Sequence, residues 1–276
     1  MSEIIEFEEH IPRKSKLAFG TMYGSSAVLS GIAFSAITFF YNVKLGLSAQ
    51  WIGIAWLIFA LWNALNDPLF GYLEDRTKSE KYGRRIPYLR FGAPIYGILF
   101  IICWFPFVDL NNEIALFLNL LIVLILFDTL YTIIGLIGFS LPAEMAITQK
   151  VRSEIATYGA IFWSLGFVLS FILPVLLLTA DRTTNISPIF LISMVIIGII
   201  SAIIIFASSF YLKENLYTQL EEPLGVIDSL KETVKNKPFW KYEVTNFSFL
   251  LGQTIITTGI FYYITFILDL SGFMTM

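Results

Sequence analysis

Seven stretches of this chain are each long and apolar enough to cross a lipid bilayer, and this limits the fold more than any other feature of the sequence. A spanning helix needs about 20 predominantly apolar residues, because a rise of about 1.5 Å per residue must cover roughly 30 Å of hydrocarbon. The stretches run over about 17–41, 51–73, 91–108, 114–141, 157–180, 187–212 and 245–268. Their length and their lack of two-residue alternation indicate helices, not strands. A helix also satisfies its own backbone amides and carbonyls, which hydrocarbon cannot do. The expected fold is therefore an all-α membrane protein with seven spans.

Composition agrees. Hydrophobic residues make up 57% of the 276 and charged residues 14%, against about 25% charged in an ordinary soluble domain. Such a chain lacks the polar surface to wrap a water-soluble globule, which excludes a soluble enzyme, a disordered chain and a disulfide-stapled secreted domain. Cys103 and His10 are the only residues of their kinds. They provide neither a metal cluster nor a Ser–His pair within the spans. The expectation is no enzyme, no resident cofactor and no nucleic-acid partner, but a protein that meets membrane lipid and a small-molecule solute.

The basic residues predict orientation. Lys and Arg near span ends favour the cytoplasmic side. Sixteen of the eighteen fall on one side: Arg13, Lys14 and Lys16 before the first span, six between Arg76 and Arg90, then Lys150 and Arg152, then five between Lys213 and Lys241. Only Lys44 and Arg182 fall on the other. This places the N-terminus in the cytoplasm of a multi-pass protein of the cell membrane. Residues 1–16 read as a charged cytoplasmic tail without the apolar core and cleavage site of a signal peptide. Residues 17–212 read as a six-helix bundle and 213–241 as a cytoplasmic linker. In the linker Val226, Ile227, Leu230 and Val234 share one helical face opposite Lys231, Glu232 and Lys235, an amphipathic pattern bounded by Pro223 and Pro238. Residues 242–276 contain one further span.

The most specific signal is Asn63-Ala-Leu-Asn-Asp67-Pro68-Leu-Phe-Gly71-Tyr-Leu-Glu-Asp75-Arg76-Thr77, followed by Gly83-Arg84-Arg85-Ile-Pro87. It resembles the loop between the second and third helices of the major facilitator superfamily. The lead-in and the close resemble the glycoside–pentoside–hexuronide:cation symporter branch, the melibiose-carrier-like transporters. Ser140-Leu141-Pro142, Arg152-Ser153-Glu154 and Asn236-Lys237-Pro238-Phe239 agree with that branch. The resemblance implies two six-helix halves, of which this chain would hold one half plus a seventh helix. It also implies secondary active transport by alternating access, as symport of a sugar or other small polar solute with Na⁺ or H⁺. A chain lacking the second half is expected to be unable to complete that cycle alone. A lysophospholipid-type carrier of the same superfamily, and a truncated non-transporting fragment, are the alternatives.

A charge inside the bilayer costs about 2.5–3.5 kcal/mol on insertion scales, so intramembrane acids mark function by default. Asp67 lies deep in the second span, with Asn63 one turn away on the same face. The resemblance implies cation-binding acids at both positions, but here the first supplies only an amide oxygen. Asp128, at similar depth in the fourth span, is the third candidate for cation coupling. The alternative role for both acids is hydrogen bonding within the bundle. Other charges implied by the resemblance are missing: Ser26 or Ala27 stands near its first-helix acid and Ala160 near its fifth-helix Arg. A melibiose-like sugar site is thus not expected unchanged. Asn66, Tyr23, Tyr131 and Trp163, with Trp62, are candidate solute contacts, although most aromatics in such a chain pack against lipid or helices. Gly71, Asp75, Arg76, Gly83, Arg84 and Arg85 are expected to gate, with Gly71 letting helices 2 and 3 approach and the Asp–Arg pair latching to a neighbouring helix. Gly20 and Gly24 form an expected close-packing face.

Overall fold

The computed structural model describes residues 9–77, 79, 82–178, 186–215, 233–263 and 267. Seven long helices lie in them: α1 (Arg13–Phe39), α2 (Ala49–Arg76), α3 (Ile86–Ile102), α4 (Glu113–Met145), α5 (Gln149–Leu178), α6 (Pro188–Ser208) and α7 (Lys237–Tyr262). There is no strand among the described residues. Helices α1, α2, α4, α5 and α6 are each long and apolar enough to cross a membrane, and α3 is a shorter apolar helix of 17 residues. The more polar α7 carries Glu243, Asn246 and Gln253. Seven expected spans thus resolve into five helices that meet both conditions and two that meet them less fully.

Several ends differ from the hydropathy limits, for local reasons. Helix α3 stops at Ile102, although the apolar run continues to Val108. Pro106 cannot donate to a helix and disfavours helical geometry at Phe105, so the chain turns there. Trp104 instead packs into a buried aromatic cluster, its ring centroid 5.4 Å from Phe40 and 5.3 Å from Phe190. Helix α7 begins at Lys237, ahead of its apolar run, and Pro238 lies in its first turn, where a missing amide hydrogen costs nothing. Pro238 therefore opens a helix. Residues 233–235 form one helical turn; the expected amphipathic stretch before them lies outside the described residues. Polar first and last turns extend α2 to Arg76, α4 to Met145 and α5 back to Gln149.

Helix α1 runs through the middle, packed on α5 and α6, while α3 packs on α6 and α4, and α2 lies against α4. The α1–α5 contact is backbone to backbone: a Cβ on Gly166 would collide with the Gly24 carbonyl, and one on Gly24 would lie 2.7 Å from the Phe162 carbonyl. Gly20 also faces Phe162, so Gly20 and Gly24 line a tight helix crossing. The α3–α6 crossing is similar, for a Cβ on Gly97 would lie 2.8 Å from the Gly198 carbonyl. In lipid there is little hydrophobic drive between helices, so this close approach is what holds the pairs together. The tight approach expected at Gly71 is absent. A Cβ there would meet Leu136 of α4 at an ordinary 3.8 Å, because α2 packs chiefly on α4.

The end of α1 loosens into a π-helical turn, Phe40–Lys44. Within it Tyr41 donates to the Asn119 side-chain oxygen of α4 at 2.7 Å. Asn42 accepts from the Tyr262 hydroxyl at 3.0 Å, which fastens α7 to α1. Helix α2 is the least covered of the spanning helices; Ile52, Ala55, Asn66 and Glu74 are its buried residues.

Candidate functional site

A cavity of about 1550 Å³ opens between α1, α2, α4, α5 and α7. Its α1 wall carries small and hydroxyl residues, Ser26, Ser30, Gly31, Ser35 and Thr38 among them. Aromatics stand on two sides. Next to α2 and α4, Phe34 contacts Trp56, Phe59 and Tyr131, with centroids 6.5, 5.9 and 5.3 Å away. On α5, Trp163 stacks on Phe167 at 5.2 Å. Tyr23, Tyr131 and Trp163, three of the solute contacts suggested by the sequence, line this space. Asn66 does not: it is fully buried between α2 and α4. Trp62 likewise lies off the cavity, with its ring N–H buried and without a hydrogen-bond partner among the described residues.

A polar network crosses from α2 to α4 at the cavity wall. Asn63 donates to Asp128 Oδ1 at 3.1 Å, and Asn66 to Asp128 Oδ2 at 2.8 Å. Asn66 also donates to the Thr132 hydroxyl at 2.9 Å, and that hydroxyl donates to Asp67 Oδ1 at 3.0 Å. The spacing explains the arrangement. Positions 63, 66 and 67 fall within one turn of α2, and 128 and 132 lie one turn apart on α4. The two acids are thus joined through neutral groups alone. Asn63 and Asp128 line the cavity, with Asp128 buried in its wall. Asp67 shares the direction of Ala60 and Asn63 along α2, one turn further on, but is exposed and outside the cavity lining. Of the three candidates for cation coupling, Asn63 and Asp128 are the pair at the cavity wall. The Asn66 side-chain oxygen is buried and, among the described residues, unpaired.

At one end of the same two helices the pattern reverses. Arg85 donates from Nε to Glu144 Oε1 at 2.7 Å, from Nη1 to Glu74 Oε2 at 2.7 Å and from Nη2 to Asp75 Oδ1 at 2.8 Å. Arg84 adds a bond to Glu144 Oε1 at 2.9 Å. Burial alone would lower the pKa of the Arg85 guanidinium, but the carboxylates of Glu144, Glu74 and Asp75 outweigh it and hold that pKa raised. Glu214, just beyond α6, accepts the backbone N–H groups of Arg84, Arg85 and Ile86 at 2.7, 2.7 and 3.1 Å, which places a carboxylate on the N-terminus of α3. Gly83 has φ +85°, a conformation that favours glycine, and a Cβ there would sit 2.7 Å from the Glu214 carboxylate and push it aside. Asp75 pairs with Arg85, not with its neighbour Arg76, whose guanidinium lies 4.2 Å over the Tyr72 ring. The residue that reaches from another helix is Glu144 of α4.

Glu74, Glu144 and Glu214 are the members that sequence reasoning missed. Glu144 was legible as an acid ending an apolar span, two residues after Pro142. Glu74 was hidden beside Asp75. Glu214 looks in sequence like any polar linker residue. A second tether lies nearby. Glu9 accepts from the Ile147 and Thr148 amides ahead of α5, at 2.8 and 2.7 Å, and Lys16 pairs with Glu154. Slight burial would raise the Glu9 pKa, yet the hydrogen bonds from Ile147 and Thr148 outweigh it and lower it from 4.5.

The chain matches the MFS/sugar transport protein family over residues 21–276. It is 29% identical over 167 residues to an uncharacterized symporter of Synechocystis, a match covering 59% of this chain and 30% of that protein. It is 28% identical over 239 residues to the uncharacterized symporter YnaJ of Bacillus subtilis, covering 84% of this chain and 50% of that protein. With the isoprimeverose transporter of Lactiplantibacillus pentosus the identity is 22% over 239 residues, covering 84% and 49% respectively. The chain spans about half the length, or less, of these curated relatives.

Proposed function

We propose, from the premise that this chain belongs to the MFS/sugar transport protein family, that it forms the cation- and solute-binding part of a symporter. The solute is a sugar or similar small polar molecule, carried with Na⁺ or H⁺ by alternating access. The observation that carries this reading is the Asp128–Asn66–Thr132–Asp67 network at the cavity wall, with Asn63 on the other oxygen of Asp128. Asp128, a carboxylate buried among apolar helices and supported by amide donors alone, with the more exposed Asp67 linked to it through Thr132 and Asn66, attracts a cation or a proton. Asn63 gives one of its two amide N–H groups to Asp128, and its amide oxygen is a neutral hard ligand of the kind that suits Na⁺.

Charge neutralisation at Asp128 would alter what Asn63 and Asn66 hold, and both sit on α2, the least covered of the five long apolar helices. The far end of α2 is fastened to α4 and α3 by Arg84 and Arg85. In this reading the Arg85–Glu144 contact is the latch that closes the space between α2 and α4 and parts when the site opens to that side. The bias of basic residues supports, in the same reading, a cytoplasmic latch and N-terminus in a cell-membrane protein.

The test is uptake by the native gene product in membrane vesicles, screened with sugars under imposed Na⁺ and H⁺ gradients, with Asp128→Asn and Asp67→Asn beside the wild type. A gradient is expected to stimulate uptake in the wild type and to do so weakly or not at all in the variants. Equal stimulation in all three refutes the coupling role of both acids.

A further inference from the structure

The end of the cavity where α1 passes into its π-helical turn is closed unevenly. The lining ends at Thr38 on α1 and begins at Trp56 on α2. Between α1, α2 and α4 the space beyond is filled: Ile37, Ala55 and Leu124 are buried, and the Trp56 ring N–H donates to the Thr38 hydroxyl at 2.9 Å. Between α1 and α7 the closure rests on Tyr262, which lines the cavity. Its ring meets the buried Phe39 edge-on, with centroids 5.4 Å apart, and its hydroxyl donates to Asn42 Oδ1 at 3.0 Å. Asn42 is set to receive that bond. Its amide N–H donates to the Leu47 carbonyl at 2.9 Å, which holds the amide with its oxygen turned to α7. Helix α7 packs chiefly on α1, and Ile255, Ile256 and Tyr263 around the contact are exposed, so α7 is lightly seated there. A neutral hydrogen bond shifts an equilibrium by roughly twofold to tenfold. A contact of that size can break and re-form in each transport cycle.

We propose that Tyr262 and Asn42 form a gate at this end of the cavity. Their bond holds α7 against α1 and shuts the chamber on the outer side, and its release lets α7 swing away while α1 stays joined to α5. This rests on the reading of the cavity as a solute path that opens to alternate sides, in the orientation given above. It goes beyond that reading by naming the contact that shuts the side opposite the Arg85 latch, at the other end of α2.

The reporter is Ser164→Cys, near the middle of α5 on the cavity wall; the native Cys103 is fully buried and gives the blank. Alkylation of the native gene product by a membrane-impermeant maleimide is followed in right-side-out and in inside-out vesicles. Tyr262→Phe removes the bond and keeps the ring on Phe39; Asn42→Ala removes the bond from the other side. Each is expected to raise the labelling rate from outside by roughly twofold to tenfold and to lower the rate from inside. The double variant is expected to do no more than the stronger single one, because both remove the same contact. An unchanged outside rate in both variants overturns the proposal. So does a rise from both faces, which marks a loosened bundle, and so do effects that add in full, which mark two residues acting separately. Labelling needs neither solute nor ion gradient, and gradient-stimulated uptake is read in the same vesicles. A failed gate with intact stimulation therefore leaves the coupling reading standing. Without stimulation in the wild type that reading fails, and the gate, which rests on it, falls too.

Discussion

Helices α2 and α4 hold two groups of carboxylates, one in the network that reaches the cavity wall through Asp128 and one at their shared end, and the two are supported in opposite ways. At the end, Glu74, Asp75 and Glu144 converge on Arg85, with Arg84 alongside. Near the cavity, Asp67 and Asp128 meet only Asn63, Asn66 and Thr132 among the described residues. A buried acid that already has its cation is part of the scaffold, and removing the cation leaves several charges stranded. A buried acid held by neutral donors still has an unmet electrostatic demand, which a mobile ion or proton can fill. The same residue type on the same two helices thus does different work according to what faces it.

The largest test of this contrast is Arg85→Met. It strands the fully buried Glu74, leaves Glu144 to Arg84 alone and unpairs the partly exposed Asp75, and is expected to destabilise the bundle by about 3–5 kcal/mol, read by thermal unfolding in detergent. A loss below about 1 kcal/mol would show that the end cluster is no more tightly paired than the cavity network. Glu214→Ala comes next. It removes the acceptor of three backbone amides at the start of α3, and about 0.5–2 kcal/mol is expected, seen also as faster hydrogen exchange at Arg84, Arg85 and Ile86. Asp128→Asn should cost only about 1 kcal/mol in the absence of coupling ion, since one hydrogen bond is reversed, not an ion pair broken. Its effect should appear as loss of any Na⁺- or proton-dependent rise in melting temperature. If the wild type shows such a rise and the variant keeps it in full, Asp128 is not where the cation sits.

The smallest effect is a pH dependence at the tail. The folded-state pKa of Glu9 lies below 4.5, so its contribution is present above that pH and fades as pH falls through the folded value. Protection of the Ile147 and Thr148 amides should therefore drop below about pH 4.5 in the wild type, whereas Glu9→Gln should be nearly flat. Equal acid sensitivity in both would remove Glu9 from the tether.

Hydropathy located the helices because a bilayer demands length and apolarity of each segment independently. It misplaced their ends, where local rules act: the apolar run through Trp104 and Phe107 outlasts the helix that Pro106 helps to end, and α7 starts at a polar Lys237-Pro238. Asn63, Asp67 and Asp128 stood out because polarity in an apolar run is visible in sequence. That Asn66 and Thr132 would bridge the two acids was not visible, because this depends on how α2 and α4 register against each other. The end cluster was half legible. Arg84 and Arg85 were evident from the motif, but their partners come from α4 and from beyond α6, across separations of about sixty and a hundred and thirty residues.

The glycine contacts between α1 and α5 have a mechanical consequence. Two backbones in direct touch cannot slide past or part from each other without losing what joins them, so the pair tilts as one splint. The hydroxyl row of α1 and the tryptophan of α5 then travel as a fixed frame, and reshaping of the chamber falls to the more loosely seated α2 and α7.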